Sequence, residues 1–228
     1  MNWDSTLHST AFVSKNISSK HLQVPSLFSK FFFKFQAIAC AVEFDDQHCG
    51  IYAGDADSYV DFADVFTPII CEYHGLDEEF KHTSDMDASK IKGNINPDAP
   101  VKSTRIRVGR SINGFGLSPG ITKEQRLEVE NLMKNAFEKL SDDLAGKYFP
   151  LLGMEEADRQ QLVDDHFLFV SGDKNLISAG MERDWPEGRG IFHNESKSFL
   201  VWVNEEDQLR IISMEKGTWV FTFNVTPK

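Results

Sequence analysis

The chain has 228 residues, of which 41% are apolar and 12% aromatic, enough for one large or two small packed domains. Its formal net charge of -11 argues against nucleic acid or an anionic membrane as its main partner, so any anion site has to be built by focusing a few arginines. No run approaches the roughly 20 apolar residues that span a bilayer. The three cysteines, Cys40, Cys49 and Cys71, have neither disulfide parity nor metal-ligand spacing, which predicts free thiols in a reducing compartment.

Residues 1–42 carry one acidic residue, Asp4, and no arginine. A mitochondrial targeting segment is ordinarily arginine-rich, so the cytoplasm is the expected compartment and the mitochondrion the lesser alternative. Further on, His48-Cys49-Gly50-Ile51-Tyr52-Ala53-Gly54-Asp55 places two glycines among short side chains and reads as a loop whose backbone can approach a ligand closely. From Asp57 to His74, Tyr59, Phe62, Phe66, Ile69, Ile70 and Tyr73 recur at three- and four-residue spacing, one face of a helix that Pro68 is expected to kink or divide. Gly75 to Lys102 is charged, and Asn94-Ile95-Asn96-Pro97-Asp98 and Pro100 break any period, which predicts an interdomain linker.

Thr104 to Val108 alternates, so Arg105 and Arg107 project from the same face of an extended strand. Two adjacent guanidiniums repel unless an anion lies between them, and with Arg110 nearby the pattern suits phosphate as well as it suits ordinary surface arginines in water. Thr122 and Gln125 form a capping-box signature, after which Val129, Leu132, Met133, Ala136, Phe137 and Leu140 keep helical period toward Gly146. A shorter helix is predicted over Glu155 to Val163, and Asp164-Asp165-His166 leads into a strand, Phe167 to Val170. A lone histidine at a strand start is more often a structural hydrogen bonder than a catalyst. Arg189 to His193 reads as another strand. Lys197 to Gly217 reads as a hairpin whose apolar arms, Phe199–Val203 and Leu209–Met214, flank the polar tip Asn204–Asp207. Three carboxylates at such a tip are ordinarily just solvated. Short strands in succession with no helix between them indicate an antiparallel sheet.

No GxxxxGK[ST], GxGxxG, HExxH or CxxC motif occurs, so dispersed arginines and carboxylates have to carry any chemistry. Ser103-Thr104-Arg105-Ile106-Arg107-Val108-Gly109-Arg110-Ser111, Asp164-Asp165-His166-Phe167-Leu168-Phe169, Asp184-Trp185-Pro186 with Arg189-Gly190-Ile191, and Phe199-Leu200-Val201-Trp202-Val203-Asn204-Glu205-Glu206-Asp207 together resemble the phosphagen (guanidino) kinases. The likeness runs from about Gln36 to Gly217. It implies an α+β fold, a small α-helical N-terminal domain plus a partial antiparallel β-sheet domain flanked by helices. The implied division is an unmatched leader, 1–35, a partial guanidino-substrate domain, 36–76, a linker, 77–99, a partial catalytic, nucleotide-binding domain, 100–217, and an unmatched tail, 218–228.

The resemblance further implies an arginine kinase-like ATP:guanidino phosphotransferase, which reversibly moves the γ-phosphoryl group of MgATP onto the guanidino nitrogen of arginine or a related compound. Ser103, Thr104, Arg105, Ile106 and Arg107 are then nucleotide-binding, with His166 a nucleotide contact and Arg210 a further phosphate ligand. Glu206 is the implied catalytic carboxylate, pairing with the acceptor's planar guanidinium and helping to remove a proton whose free pKa lies above about 12. Glu205 and Asp207 organise the tip or the metal's surroundings. Cys49, Gly50, Ile51 and Tyr52 resemble the loop that contacts the amino-acid end of the acceptor. ATP or ADP and Mg2+ carried by the nucleotide are the implied cofactors, and no metal ligand of the protein itself is assigned. The expected partners are MgATP and a guanidino amino acid, neither nucleic acid nor membrane, with a homo-oligomer or association with a full-length subunit left open.

Tyr52 favours the arginine-using members, whereas Ala179-Gly180-Met181 and Asp184-Trp185-Pro186 read more like the creatine-using branch. The family usually has histidine where Gln208 stands, no helical segment is recognisable upstream of Gln36, and the pattern stops at Gly217. The family's continuation supplies a reactive cysteine in a Cys-Pro-x-Asn-Leu-Gly-Thr setting, further arginines and a closing loop. None of Cys40, Cys49 and Cys71 stands in that setting. The alternative is therefore an inactive truncated isoform or paralogue with residual nucleotide binding or a subunit-interaction role.

Overall fold

The computed structural model describes residues 28–46, 50–85, 87–90 and 101–216. Cys49, the linker stretch 94–98 and the strand-like run 218–225 lie outside the described residues.

The N-terminal part is helical. Helix α1 (Phe28–Glu43) begins upstream of Gln36, where the sequence pattern shows no helix. Two small residues one turn apart, Ala37 and Ala41, are buried and let the following loop lie directly on the helix. There Tyr52 N–H donates to the Ala37 carbonyl at 2.9 Å and Ala41 N–H donates to the Gly50 carbonyl at 3.0 Å. Gly50 has φ 69° and a Cβ on it would collide with Ala41, so the close approach requires glycine. The predicted long helix is two pieces, α2 (Ser58–Asp61) and α3 (Ala63–His74), and the break falls at Phe62, with φ -125°, rather than at Pro68. Pro68 is the sixth residue of α3 and lies inside the helix, which continues past it to His74. The bend at Phe62 lets Phe62 and Phe66 both reach the cluster with Ala37 and Ala53. Only part of the apolar stripe is covered, since Tyr59, Ile70 and Tyr73 are exposed.

Past the linker, strand β1 (Ser103–Arg110) opens an antiparallel sheet, followed by α4 (Lys123–Phe137), β2 (Gly146–Pro150), α5 (Glu156–Asp164), α6 (Lys174–Ser178), β3 (Gly190–Asn194), β4 (Phe199–Val203) and β5 (Leu209–Lys216). The strand order is β1-β5-β4-β3-β2 with every pairing antiparallel. The Thr122–Gln125 capping box is formed, but α4 ends at Phe137 rather than running toward Gly146. Leu140 still turns back into the core, and β2, which has no clear alternation of its own, pairs beside β3.

Because side chains alternate across a strand, the sheet has two distinct faces. One packs Phe192, Val201 and Val203 against Ile121, Val129 and Phe137 of the α4 layer. The other packs Ile191, Leu200, Trp202 and Ile212 against Leu162, Leu168 and Phe169. Phe167 to Val170, predicted as a strand, is an irregular plug in that second layer. The N–H groups of Phe167 and Leu168 both donate to the Leu162 carbonyl and close α5, and the Phe167 carbonyl accepts from the Trp202 indole, so none of these groups is left for a ladder.

The helical part docks on the sheet domain through polar contacts. Gln36 Nε2 donates to the Pro119 carbonyl at 2.6 Å, Ser178 Oγ donates to Glu43 at 2.5 Å, and Lys174 Nζ lies 3.2 Å from Asp46. Leu117 adds an apolar link, packing against the cluster of Ala37, Ala53, Phe62 and Phe66 while its N–H donates to the Gly54 carbonyl at 2.9 Å.

Candidate functional site

The alternation of β1 sorts the predicted nucleotide-binding residues. Ser103, Arg105 and Arg107 stand exposed on the face that carries Trp202, while Thr104 and Ile106 turn to the opposite face, toward the α4 layer. Thr104 and Ile106 can therefore offer only their backbones to a ligand on the arginine face. Trp202 is 6% exposed and forms the floor beneath the arginines, with the Arg105 guanidinium 5.6 Å and that of Arg107 4.9 Å from its ring centre. Arginine stacks on an aromatic face more readily than lysine does. The indole Nε1 donates to the Phe167 carbonyl at 2.7 Å, which holds the floor in one orientation.

That hydrogen bond also brings the His166 turn to the arginine side of the sheet. His166 is exposed in the left-handed region at φ 60°, immediately after α5, not at the start of a strand. Its neighbour Asp165 accepts from Lys197 Nζ at 2.8 Å, and this bond holds the Asp165 carboxyl below the usual range. The turn is thus fastened on both sides of His166.

The third arginine enters from β5. Arg210 lies opposite Gly109 of β1 and Trp202 of β4 in the sheet register, so it shares the face of Arg105 and Arg107. Partial burial, then the positive charges of Arg107 and Arg210, depress the Arg105 guanidinium pKa. Arg210 itself faces the acidic turn, with Nη2 2.6 Å from Asp207 Oδ2, 2.9 Å from Glu206 Oε2 and 3.9 Å from Glu205 Oε2. Burial works against its charge, yet Asp207 and the two glutamates leave its pKa raised overall. A Cβ on Gly109 would run into the Asp207 carboxylate, so the glycine makes room for that contact.

The three tip carboxylates are not equally solvated. The Glu206 side chain is 45% exposed, whereas that of Glu205 is 15% exposed with Oε2 buried and without a hydrogen bond. Burial, its largest influence, pushes the Glu205 carboxyl above its ordinary value. The expectation of a merely solvated tip therefore fails for Glu205 and holds in part for Glu206. Two residues that sequence reasoning passed over as site residues, Asn204 and Gln208, bracket the turn and are both buried. The signal available for them was slight: polar residues placed directly against an all-apolar arm.

Of the residues expected at the acceptor's amino-acid end, Gly50 is buried against α1, and Ile51 and Tyr52 are half-buried, with Ile51 packed into the helical clusters. Cys49 lies outside the described residues. Cys40 and Cys71 are free thiols. Among the described residues there is no group of three or more His, Cys, Asp or Glu placed to hold a metal ion.

Two family models match the chain: the ATP:guanido phosphotransferase N-terminal domain over residues 15–71, and the ATP:guanido phosphotransferase C-terminal catalytic domain over residues 128–223. The chain is 51% identical over 187 residues to an arginine kinase of Anthopleura japonica, covering 81% of this chain and 26% of that protein. It is 48% identical over 186 residues to an arginine kinase of Stichopus japonicus, covering 80% of this chain and 50% of that one. Among solved structures it is similar to lombricine kinase, with TM-score 0.72 and 40% identity over 80% of this chain and 51% of that chain. It is likewise similar to the duplicated taurocyamine kinase from Schistosoma mansoni with bound transition state analog components, with TM-score 0.71 and 45% identity over 80% of this chain and 26% of that chain. The chain spans about half the length, or less, of these relatives. With both domain models in order and relatives at this level of identity, the chain belongs to the ATP:guanido phosphotransferase, or phosphagen kinase, family.

Proposed function

We propose that this chain carries out reversible transfer of the γ-phosphoryl group of MgATP to the guanidino nitrogen of arginine. The observation that carries the proposal is the juxtaposition of three arginines, Arg105, Arg107 and Arg210, with the carboxylate of Glu206 at one end of a single sheet face. Such a face accepts a polyanion and a planar cation side by side, which is the charge pattern of a nucleotide meeting a guanidino acceptor.

In this reading Arg105 and Arg107, supported on Trp202, hold nucleotide phosphates, and Arg210 reaches the transferred group. Mg2+ arrives with the nucleotide and neutralises phosphate charge. Glu206 receives the acceptor's guanidinium in a bidentate pair and takes up the proton lost as its nitrogen forms the new bond to phosphorus. The bond from phosphorus to the β-phosphate oxygen breaks at the same time, and ADP leaves with that electron pair. The protein's part is positioning and charge stabilisation rather than covalent catalysis. Glu206 and Arg210 pair at 2.9 Å, so an incoming phosphate competes for Arg210 and frees Glu206 for the acceptor.

Arginine is the proposed acceptor because Tyr52 stands in the loop beside α1 and because the curated relatives cited above are arginine kinases. A coupled assay with MgATP and arginine, creatine, taurocyamine or lombricine tests this. Turnover greatest with arginine is expected. Binding of ADP with no turnover on any of the four would favour a nucleotide-binding module instead.

A further inference from the structure

The turn between β4 and β5 carries five consecutive polar residues, and the outer two behave unlike the inner three. Asn204 is 4% and Gln208 2% exposed. Asn204 sits in the left-handed region at φ 55°, a conformation asparagine adopts at small cost, and its N–H donates to the Gln208 carbonyl at 2.9 Å, closing the turn. Its side-chain Nδ2 donates to the Arg126 carbonyl at 3.0 Å and the Gly188 carbonyl at 2.7 Å, fastening one side to α4 and the strand-entry turn. On the other side Gln208 Nε2 donates to the Gly116 carbonyl at 2.6 Å while its Oε1 accepts from Ile112 N–H. The next residue, Leu117, is the one whose N–H donates to the Gly54 carbonyl and whose side chain packs against the same buried cluster as Ile51.

We propose that Asn204 and Gln208 are positioning residues: two buried amides that set where the Glu205–Glu206–Asp207 carboxylates stand, with Gln208 registering the turn, through Gly116 and Leu117, against the Gly50–Gly54 loop. This rests on the phosphoryl-transfer reading for its functional meaning and on the hydrogen bonds alone for its structural content. The chemistry requires amides. Gln208 donates and accepts through one group, so a carboxylate at that position sets an oxygen lone pair against the Gly116 carbonyl. Asn204 is purely a donor to two carbonyls, and a carboxylate there opposes both. In each case a buried group is left unpaired, which the protein relieves by moving the turn.

The test uses the full chain and the near-isosteric variants Asn204→Asp and Gln208→Glu, with Gln208→Asn as a neutral variant that keeps the amide but shortens its reach. The expected result is a fall in kcat/KM for arginine of about a hundredfold, the scale for displacing a reacting group by roughly 1 Å, with ADP affinity lowered by a smaller factor because, of the three arginines, only Arg210 is paired with the carboxylates of the turn while Arg105 and Arg107 stand on a different strand. Arginine turnover equal to wild type in folded Asn204→Asp and Gln208→Glu would overturn the proposal. A second measurement needs neither folded variants nor turnover. In the wild-type protein the side-chain amide protons of Asn204 and Gln208 are expected to exchange with solvent far more slowly than those of the exposed Gln160, and free exchange at both positions would equally overturn it. If wild type turns over no guanidino substrate while both amides are protected, the phosphotransfer reading fails and the positioning of the turn stands.

Discussion

Arg210 is the cation that three carboxylates share, and replacing it with glutamine removes the charge while keeping most of the side chain. The Asp207 and Glu206 side chains are 36% and 45% exposed, so each pair belongs to the class worth up to about 1 kcal/mol. Glu205 is better buried but its nearest oxygen is 3.9 Å away, so it adds a contribution of similar size and not the larger penalty of a broken buried contact pair. Arg210→Gln is therefore expected to lose about 1–3 kcal/mol of unfolding free energy at low salt. What remains is mutual repulsion among Glu205, Glu206 and Asp207, and added salt screens it, so the deficit shrinks as ionic strength rises through the range where the Debye length falls below about 10 Å. Denaturant titrations at low and high salt measure this directly. The same variant loses one charge-assisted contact to phosphate, about 1.5–3 kcal/mol, or roughly a tenfold to hundredfold weaker ADP complex by calorimetry. Wild-type stability at low salt together with wild-type ADP affinity would refute the role assigned to Arg210.

Arg107→Ala weakens ADP binding by about tenfold or more, whereas Thr104→Val, on the opposite sheet face, leaves it within about twofold; equal effects would show that the faces have been assigned wrongly. Gly109→Ala drives a methyl group into Asp207 and is expected to cost about 1–3 kcal/mol and to lower ADP affinity in the direction of Arg210→Gln. Glu205→Gln tests the buried carboxyl. Burial raises its pKa in the folded chain, so the folded state binds this proton more tightly than the unfolded state does. Its favourable contribution is complete below the unfolded value, about 4.3, and is lost as pH rises through the higher folded value. Glu205→Gln should accordingly be more stable than wild type near neutral pH, with the gap closing as pH falls toward 4, and a gap that widens on acidification would contradict the assignment.

The parts of the fold that were legible in the sequence are those set by local geometry. The two-residue period of β1 placed Arg105 and Arg107 together, the Thr122–Gln125 capping box marked the start of α4, and the apolar arms around Asn204–Asp207 marked the hairpin. What escaped was decided by partners distant in sequence. Phe167 to Val170 has strand composition, but the N–H groups of Phe167 and Leu168 are claimed by the Leu162 carbonyl and the Phe167 carbonyl by the indole of Trp202. The interruption of the Asp57–His74 helix at Phe62 follows from what Phe62 packs on, namely Ala37 and Ala53, which no local rule contains. In the site, residue types carried the resemblance, yet the separation of Thr104 and Ile106 from the arginine face, the burial of Glu205, and the anchoring of Asn204 and Gln208 all depend on the sheet register and on the Gly116 and Gly188 carbonyls.

The proposal that Glu206 receives the guanidino acceptor is open to one direct measurement: steady-state turnover of MgATP and arginine by the wild-type chain and by Glu206→Gln, with ADP affinity measured on both. Turnover by wild type, a loss of at least about a hundredfold in Glu206→Gln and an ADP affinity no weaker than wild type are expected, since the amide is nearly isosteric but can neither pair with the guanidinium charge nor take its proton, and it no longer competes with phosphate for Arg210. Undiminished turnover in Glu206→Gln would contradict the proposed role of the acidic turn.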